Sequence, residues 1–208
     1  MPVIHLEFLV EEPSAEAALC NLVPKVLGSD FSFAVYPSQG KQDLLKNLPA
    51  RLRAYRRWLP EDSGIVVLID ADGRDCLEQK AKLEGVAHQA GFLTRAAAGG
   101  HRFQVLNRLA IEELEAFFFG DVDALCDAYP GVPRSLGNRA GYRDPDAISG
   151  GTWEALERVL QRSGHHRGGL AKIKAAREIS ACMEPDRNRS GSFRAFRQGL
   201  LDLVDASM

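Results

Sequence analysis

Soft-metal and disulfide chemistry find little to work with in this sequence. Its four cysteines, Cys20, Cys76, Cys126 and Cys182, lie roughly fifty residues apart and form no C-x-x-C pair. That spacing suits neither a zinc knuckle nor a disulfide framework, and buried free thiols in a reducing cytosol are the expectation. Long apolar runs are missing too. None approaches the ~20 residues a membrane-spanning helix requires, so no membrane partner is expected. Residues 1–10 have neither a basic start nor a small-residue cleavage site, and a cytoplasmic location is expected. A strong charge of one sign is also absent: 26 Lys and Arg stand against 28 Asp and Glu, for a formal net charge of −2. A polyanion would have no global field to draw it in and would have to be held by a local basic patch or a bridging cation. No internal repeat or low-complexity segment is present.

What is there is ordinary globular composition, 45% hydrophobic and 26% charged over 208 residues. That length supports one good core with a helical elaboration. We read residues 1–208 as one domain, with a core over about 1–120 and helices over about 121–208. Residues 3–10 form an apolar run that predicts a buried strand, broken by Glu11-Glu12-Pro13-Ser14. Pro13 suits the first turn of a helix over 15–27, in which Pro24 would kink or shorten the pattern. A strand is predicted over 31–36, then a basic amphipathic helix over 43–58. Residues 64–69, G-I-V-V-L-I, carry five consecutive aliphatics, the pattern of a central parallel strand covered on both faces. A polar helix over 76–91 and a strand over 103–109 follow. This alternation predicts an α/β fold with a doubly wound, mainly parallel sheet. Beyond it, helices are predicted over 111–119, 121–129, 153–162, 170–182 and 192–204, the last with a serine cap. Residues 131–151 read as an extended loop.

Open parallel sheets bind ligands beyond the carboxyl ends of their strands. Glu11 and Glu12 fall at that end of the first strand, and Asp70 and Asp72 at that end of the central one. Carboxylate oxygens without soft ligands suit magnesium or manganese. D-A-D-G is equally the composition of a polar turn, and that reading stays open. Asp75 reads as either an outer ligand or a helix cap. The E-E-L-E stretch supplies Glu112, Glu113 and Glu115; on a helix Glu112 and Glu115 share a face, unless the whole stretch is simply solvated. Phe117, Phe118 and Phe119 read as core. His101, without a histidine partner, and His165-His166, without metal spacing, read as structural. Basic residues gather at Arg51, Arg53, Arg56 and Arg57, and again from Arg158 to Lys174.

A strand ending in glutamate, followed by an aliphatic strand ending in D-x-D, resembles the Toprim domain of topoisomerases, primases and the overcoming-lysogenization-defect nucleases. The family glutamate falls on Glu11, with Glu12 where many members carry glycine. P-S-Q-G-K resembles the small-residue loop after the second strand of nuclease Toprims, which puts Ser38, Gly40 and Lys41 by the site. The stretches L-V-E-E-P-S-A-E-A-A-L, G-K-Q-D-L-L-K, V-V-L-I-D-A-D-G-R-D-C, I-E-E-L-E-A-F-F-F-G-D and N-R-S-G-S-F together resemble an uncharacterised bacterial Toprim-like family of unknown function, in some genomes encoded beside an ATPase. The likeness resumes at G-G-L-A-K-I, which favours Lys172 and Lys174 as phosphate contacts.

The resemblance implies magnesium-dependent (or manganese-dependent) phosphodiester hydrolysis of nucleic acid, DNA in preference to RNA, in phage defence or repair with a partner ATPase. Glu11, Asp70, Asp72 and Glu115 would ligate metal. Glu113 or Glu115 would add a second-metal ligand or a base, and Ser38, Gly40, Lys41, Lys172 and Lys174 would contact phosphate. The alternative is a non-catalytic binding or regulatory subunit of an ATPase complex, toward which the glutamate at position 12 leans.

Overall fold

The computed structural model describes residues 3–73 and 75–205; residues 1–2, 74 and 206–208, at the margins of the domain assignment and within the D-A-D-G-R-D stretch, lie outside them. Four strands form one sheet in the order β2-β1-β3-β4: β1 (His5–Val10), β2 (Ser32–Pro37), β3 (Ser63–Asp70) and β4 (Val105–Ala110). Every pairing is parallel, and β1 and β3 are the internal strands. The α/β class and parallel sheet expected from the alternation are what the chain forms.

Two faces of the sheet are covered by different helices. Leu6, Phe8, Val10, Val66, Leu68 and Leu106 point to the face packed by α1 (Pro13–Leu27) and α8 (Gly191–Asp205). Leu9, Ile65, Val67 and Ile69 point to the other, packed by α2 (Lys41–Trp58) and α3 (Cys76–Gln89). The run in β3 is apolar throughout because both faces need it. Pro13 opens α1, and Pro24 does not end it, since the carbonyl of Pro24 still accepts the Gly28 N–H at 2.9 Å.

The remaining helices are α4 (Glu115–Phe119), α5 (Val122–Ala128), α6 (Thr152–Arg162) and α7 (Lys172–Cys182), with three single 3₁₀ turns between α5 and α6. They extend the α1 face rather than forming a separate layer: Phe117, Leu125, Leu156 and Ile179 belong to the same apolar cluster as Phe8 and Leu19. Lys25 of α1 ties α7 down by donating to the carbonyls of Ala181 and Met183, each at 2.7 Å, where a helix C-terminus favours a cation. Ser190 caps α8 by accepting the Phe193 N–H at 3.0 Å.

Two expectations need correcting. The helix over 111–119 begins only at Glu115, because Glu112 sits at φ 48° in the preceding turn; Glu112 and Glu115 therefore share no helical face. The four cysteines are free, but none is buried: Cys20 is exposed and Cys76, Cys126 and Cys182 are partly covered. Leucines, phenylalanines and alanines fill the interior, leaving the thiols at its margins.

Candidate functional site

The site is built where β1 and β3 end side by side. Val10 lies opposite Leu68 in the register, so Glu11, the residue after β1, reaches the last residue of β3. Glu11 Oε2 accepts the Asp70 N–H at 2.9 Å. Glu12 turns away, toward Ser14 Oγ at 3.5 Å and Lys172 Nζ at 4.0 Å. Of the two glutamates, Glu11 faces the aspartates.

Beyond Asp70 the chain makes a tight turn with Asp72 at φ 51° and Gly73 at φ 64°. Three hydrogen bonds fix it: Ala71 N–H to Ala110 O at 2.9 Å, Asp72 N–H to Glu112 O at 2.9 Å, and the Gln79 side-chain amide to Ala71 O at 2.8 Å. Gln79 is buried and escaped the sequence reading, for which a glutamine in a polar helix carries no signal. Asp75 caps α3 by accepting the Leu77 and Glu78 N–H groups, which resolves its two readings in favour of the cap.

Lys41, the first residue of α2, is buried at 7% exposure. Its ammonium donates to the Asp70 carbonyl and to Asp72 Oδ2, the latter at 3.0 Å. It is not a solvated loop lysine. The loop before it is strapped to β1: Ser38 N–H donates to Val10 O at 2.9 Å and Gly40 N–H to Glu11 O at 3.0 Å. Gly40 adopts φ 92°, a turn conformation open to glycine at no steric cost. The amides of Ser38 and Gly40, two residues the resemblance implies as phosphate contacts, thus hold the strand end.

Negative charge accumulates in this crevice. Burial, then the charges of Glu11, Glu115, Asp72 and Glu113, hold the Asp70 carboxyl well above the usual carboxylate range. Burial also raises Glu11, with Asp72 and Glu12 adding to the effect while the Asp70 N–H and Lys41 oppose it. Glu115, at the first turn of α4 and only 4% exposed, is pushed up by burial to about 7 against the opposing charge of Lys172.

Glu113 does different work. Its Oε2 accepts from Thr152 N–H, Thr152 Oγ1 and Trp153 N–H, each at 2.9 Å, so it caps α6, whose N-terminus has no side-chain cap of its own. Trp153 in turn lies under Lys172, with Nζ 5.1 Å from the ring centroid. Lys172 sits on the rim of the crevice, whereas Lys174 pairs with Glu178 at 3.8 Å. Glu11, Asp70, Asp72, Glu115, Lys41 and Lys172 are brought together; Lys174 is not. As the side chains stand, no group of three or more His, Cys, Asp or Glu among the described residues is placed to hold a metal ion.

The histidines lie elsewhere. His101 lines a separate cavity of about 450 Å³ with Arg95, Phe103 and Asp202. His165 Nε2 donates to Pro130 O at 2.8 Å, and His166 contacts the Tyr129 hydroxyl at 2.9 Å. A buried polar network was also missed: Glu7, in mid-strand, binds His5 Nε2 at 2.8 Å and the Tyr55 hydroxyl at 2.6 Å. One glutamate within an apolar run was its only trace.

Fold and site define an α/β protein with an acidic crevice at the carboxyl ends of a parallel sheet. Residues 10–201 match the family described as a domain of unknown function, DUF4276, and the chain belongs to that family. No curated protein and no solved structure matches it.

Proposed function

We propose that the chain is a Toprim-type, magnesium-dependent phosphodiesterase acting on nucleic acid, DNA in preference to RNA, with an ATPase as its partner. The observation that carries this reading is the convergence of Glu11 on Asp70, with Asp72 and Glu115 close enough to raise the Asp70 carboxyl. Crowded carboxylates in a partly dehydrated crevice are relieved either by protons or by a cation. The donors are all oxygen, which fits magnesium or manganese and disfavours zinc or copper. Glu11, Asp70, Asp72 and Glu115 are the residues that would hold it. A bound magnesium would supply charge neutralisation at the phosphate and acidify water.

The chain's own residues divide the remaining work. Lys41 exchanges its ion pair with Asp72 for a phosphate oxygen, acting as a point charge. Lys172 steadies the next phosphate from the rim. Glu115, pushed up to about 7 in the metal-free chain, would give up its proton when a cation binds in the crevice. Glu113 positions Lys172 through α6 and Trp153.

The test is cleavage of single- and double-stranded DNA and RNA by the purified chain, with and without its ATPase, in magnesium and in manganese. Cleavage that Glu11→Gln abolishes and Glu12→Gln only weakens is the expected result. A second reading, the non-catalytic subunit, is favoured by one observation: Lys41 already neutralises Asp72 in place of a metal. No cleavage in either metal with the partner present would select it.

A further inference from the structure

We infer that the solvent face of α2 is the track along which a single-stranded nucleic acid leaves the acidic crevice. The inference rests on the nucleic-acid reading of that crevice and adds the form of the substrate and its path.

Helix α2 carries six basic residues and one acidic residue, in a chain whose formal net charge is −2. Its buried face is Lys41, Leu44, Leu48, Leu52 and Tyr55, so Lys41 faces the crevice and is not part of the outer line. At 3.6 residues per turn, Lys46, Arg53 and Arg57 fall on the opposite side, within roughly 40° of one another. All three are exposed, and none has an ion pair or hydrogen bond among the described residues. The other two arginines behave differently: Arg51 lies over Tyr36 at 4.3 Å and Arg56 over Phe92 at 5.7 Å. The basic run that wraps the helix in sequence is thus reduced to one unpaired line on its outer face.

That line has a direction. Lys41 starts the helix with its ammonium on Asp70 and Asp72. Lys46 stands five residues further along, about 7 Å of helix axis, and Arg57 another ~16 Å beyond. Trp58 ends the helix 61% exposed, with its ring 5.3 Å from that of Tyr55. Trp58 lies about 100° round the helix from Arg57, so a strand that follows the cations with its phosphates meets the exposed indole by turning at the helix end, where the ring stacks on a base. A duplex would present phosphates to the stripe but no free base to Trp58. An acidic peptide would satisfy the charges and leave the indole unused.

The experiment is fluorescence anisotropy of a labelled single-stranded oligonucleotide with the full chain in EDTA, which separates binding from cleavage. Removing Lys46, Arg53 and Arg57 together (each to alanine) should weaken binding about tenfold or more, and should lower the slope of log affinity against log salt by about 2 between about 50 and 200 mM. Trp58→Ala should cost about fivefold or more on the single strand and nothing on a duplex. These positions are exposed, so unchanged melting curves confirm that the variants fold. Wild-type affinity in the triple variant would overturn the inference, as would loss of binding only on Lys172→Ala, equal Trp58→Ala effects on both nucleic acids, or preference for an acidic peptide. The outcome is separable from the proposed chemistry: binding along α2 without cleavage keeps the track and removes the nuclease, and cleavage indifferent to the triple variant does the reverse.

Discussion

Glu115 is the residue whose protonation bears most directly on the crevice. Burial raises it from 4.5 to about 7, so between those pH values the folded chain holds a proton that the unfolded chain has released. Stability from this group is fully present below pH 4.5, falls as pH rises through the window, and levels off above about 7. Glu115→Gln, neutral throughout, removes the effect. Denaturant melts of metal-free protein at either end of the window should show the wild type losing on the order of 3 kcal/mol more than the variant; parallel losses would mean that Glu115 ionises freely. Glu11→Gln should fold as wild type does, because the amide oxygen can still accept the Asp70 N–H. Asp70, Asp72 and the neighbouring glutamates could be read from sequence because a strand end dictates where its next side chain points. The choice between Glu11 and Glu12 needed the register of β1 on β3. The contact of Lys41 with Asp72 spans 31 positions, beyond the reach of any local pattern, and only the resemblance had brought Lys41 to the site.

At the scale of elements, the junction of α4 with the loop before α8 carries a prediction whose sign opposes helix propensity. Gly120 follows α4 with φ −63°, where alanine is ordinarily the better residue. A Cβ there would stand 2.0 Å from Asn188 Oδ1 and 2.9 Å from Ser190 N. Asn188 is buried and bridges Phe117 O at 2.8 Å and Ser190 N–H at 2.9 Å, so it has nowhere to go. Gly120→Ala should therefore destabilise by about 2 kcal/mol, an overpacking cost, measurable as a lower urea midpoint with an unchanged slope. A neutral or stabilising result would place Asn188 elsewhere. Glu113→Ala, which uncaps α6, should cost about 1 kcal/mol. Among the elements, β3 was the most legible, since five aliphatics in a row leave few alternatives. The start of α4 was not, because Glu112 spends its carbonyl on Asp72 and leaves the helical conformation, a demand made by the turn after β3. G-D at the end of α4 and N-R-S-G-S-F were visible as separate motifs; that one fills the space left by the other is a tertiary fact.

For the molecule as a whole, near-neutral net charge conceals a separation: carboxylates at the ends of β1 and β3, unpaired cations along α2. The sheet order makes this separation, since the internal strands β1 and β3 deliver acids to one crevice while the loop from β2 delivers Lys41 and then α2 to its edge. The central claim is that the crevice takes a hard cation, and calorimetric titration of manganese into the metal-free full chain tests it most directly. The expected result is binding by the wild type that is lost in the Asp70→Asn, Asp72→Asn double variant, while that variant still melts cooperatively. Manganese bound by the double variant with wild-type affinity, or by neither protein, would contradict it.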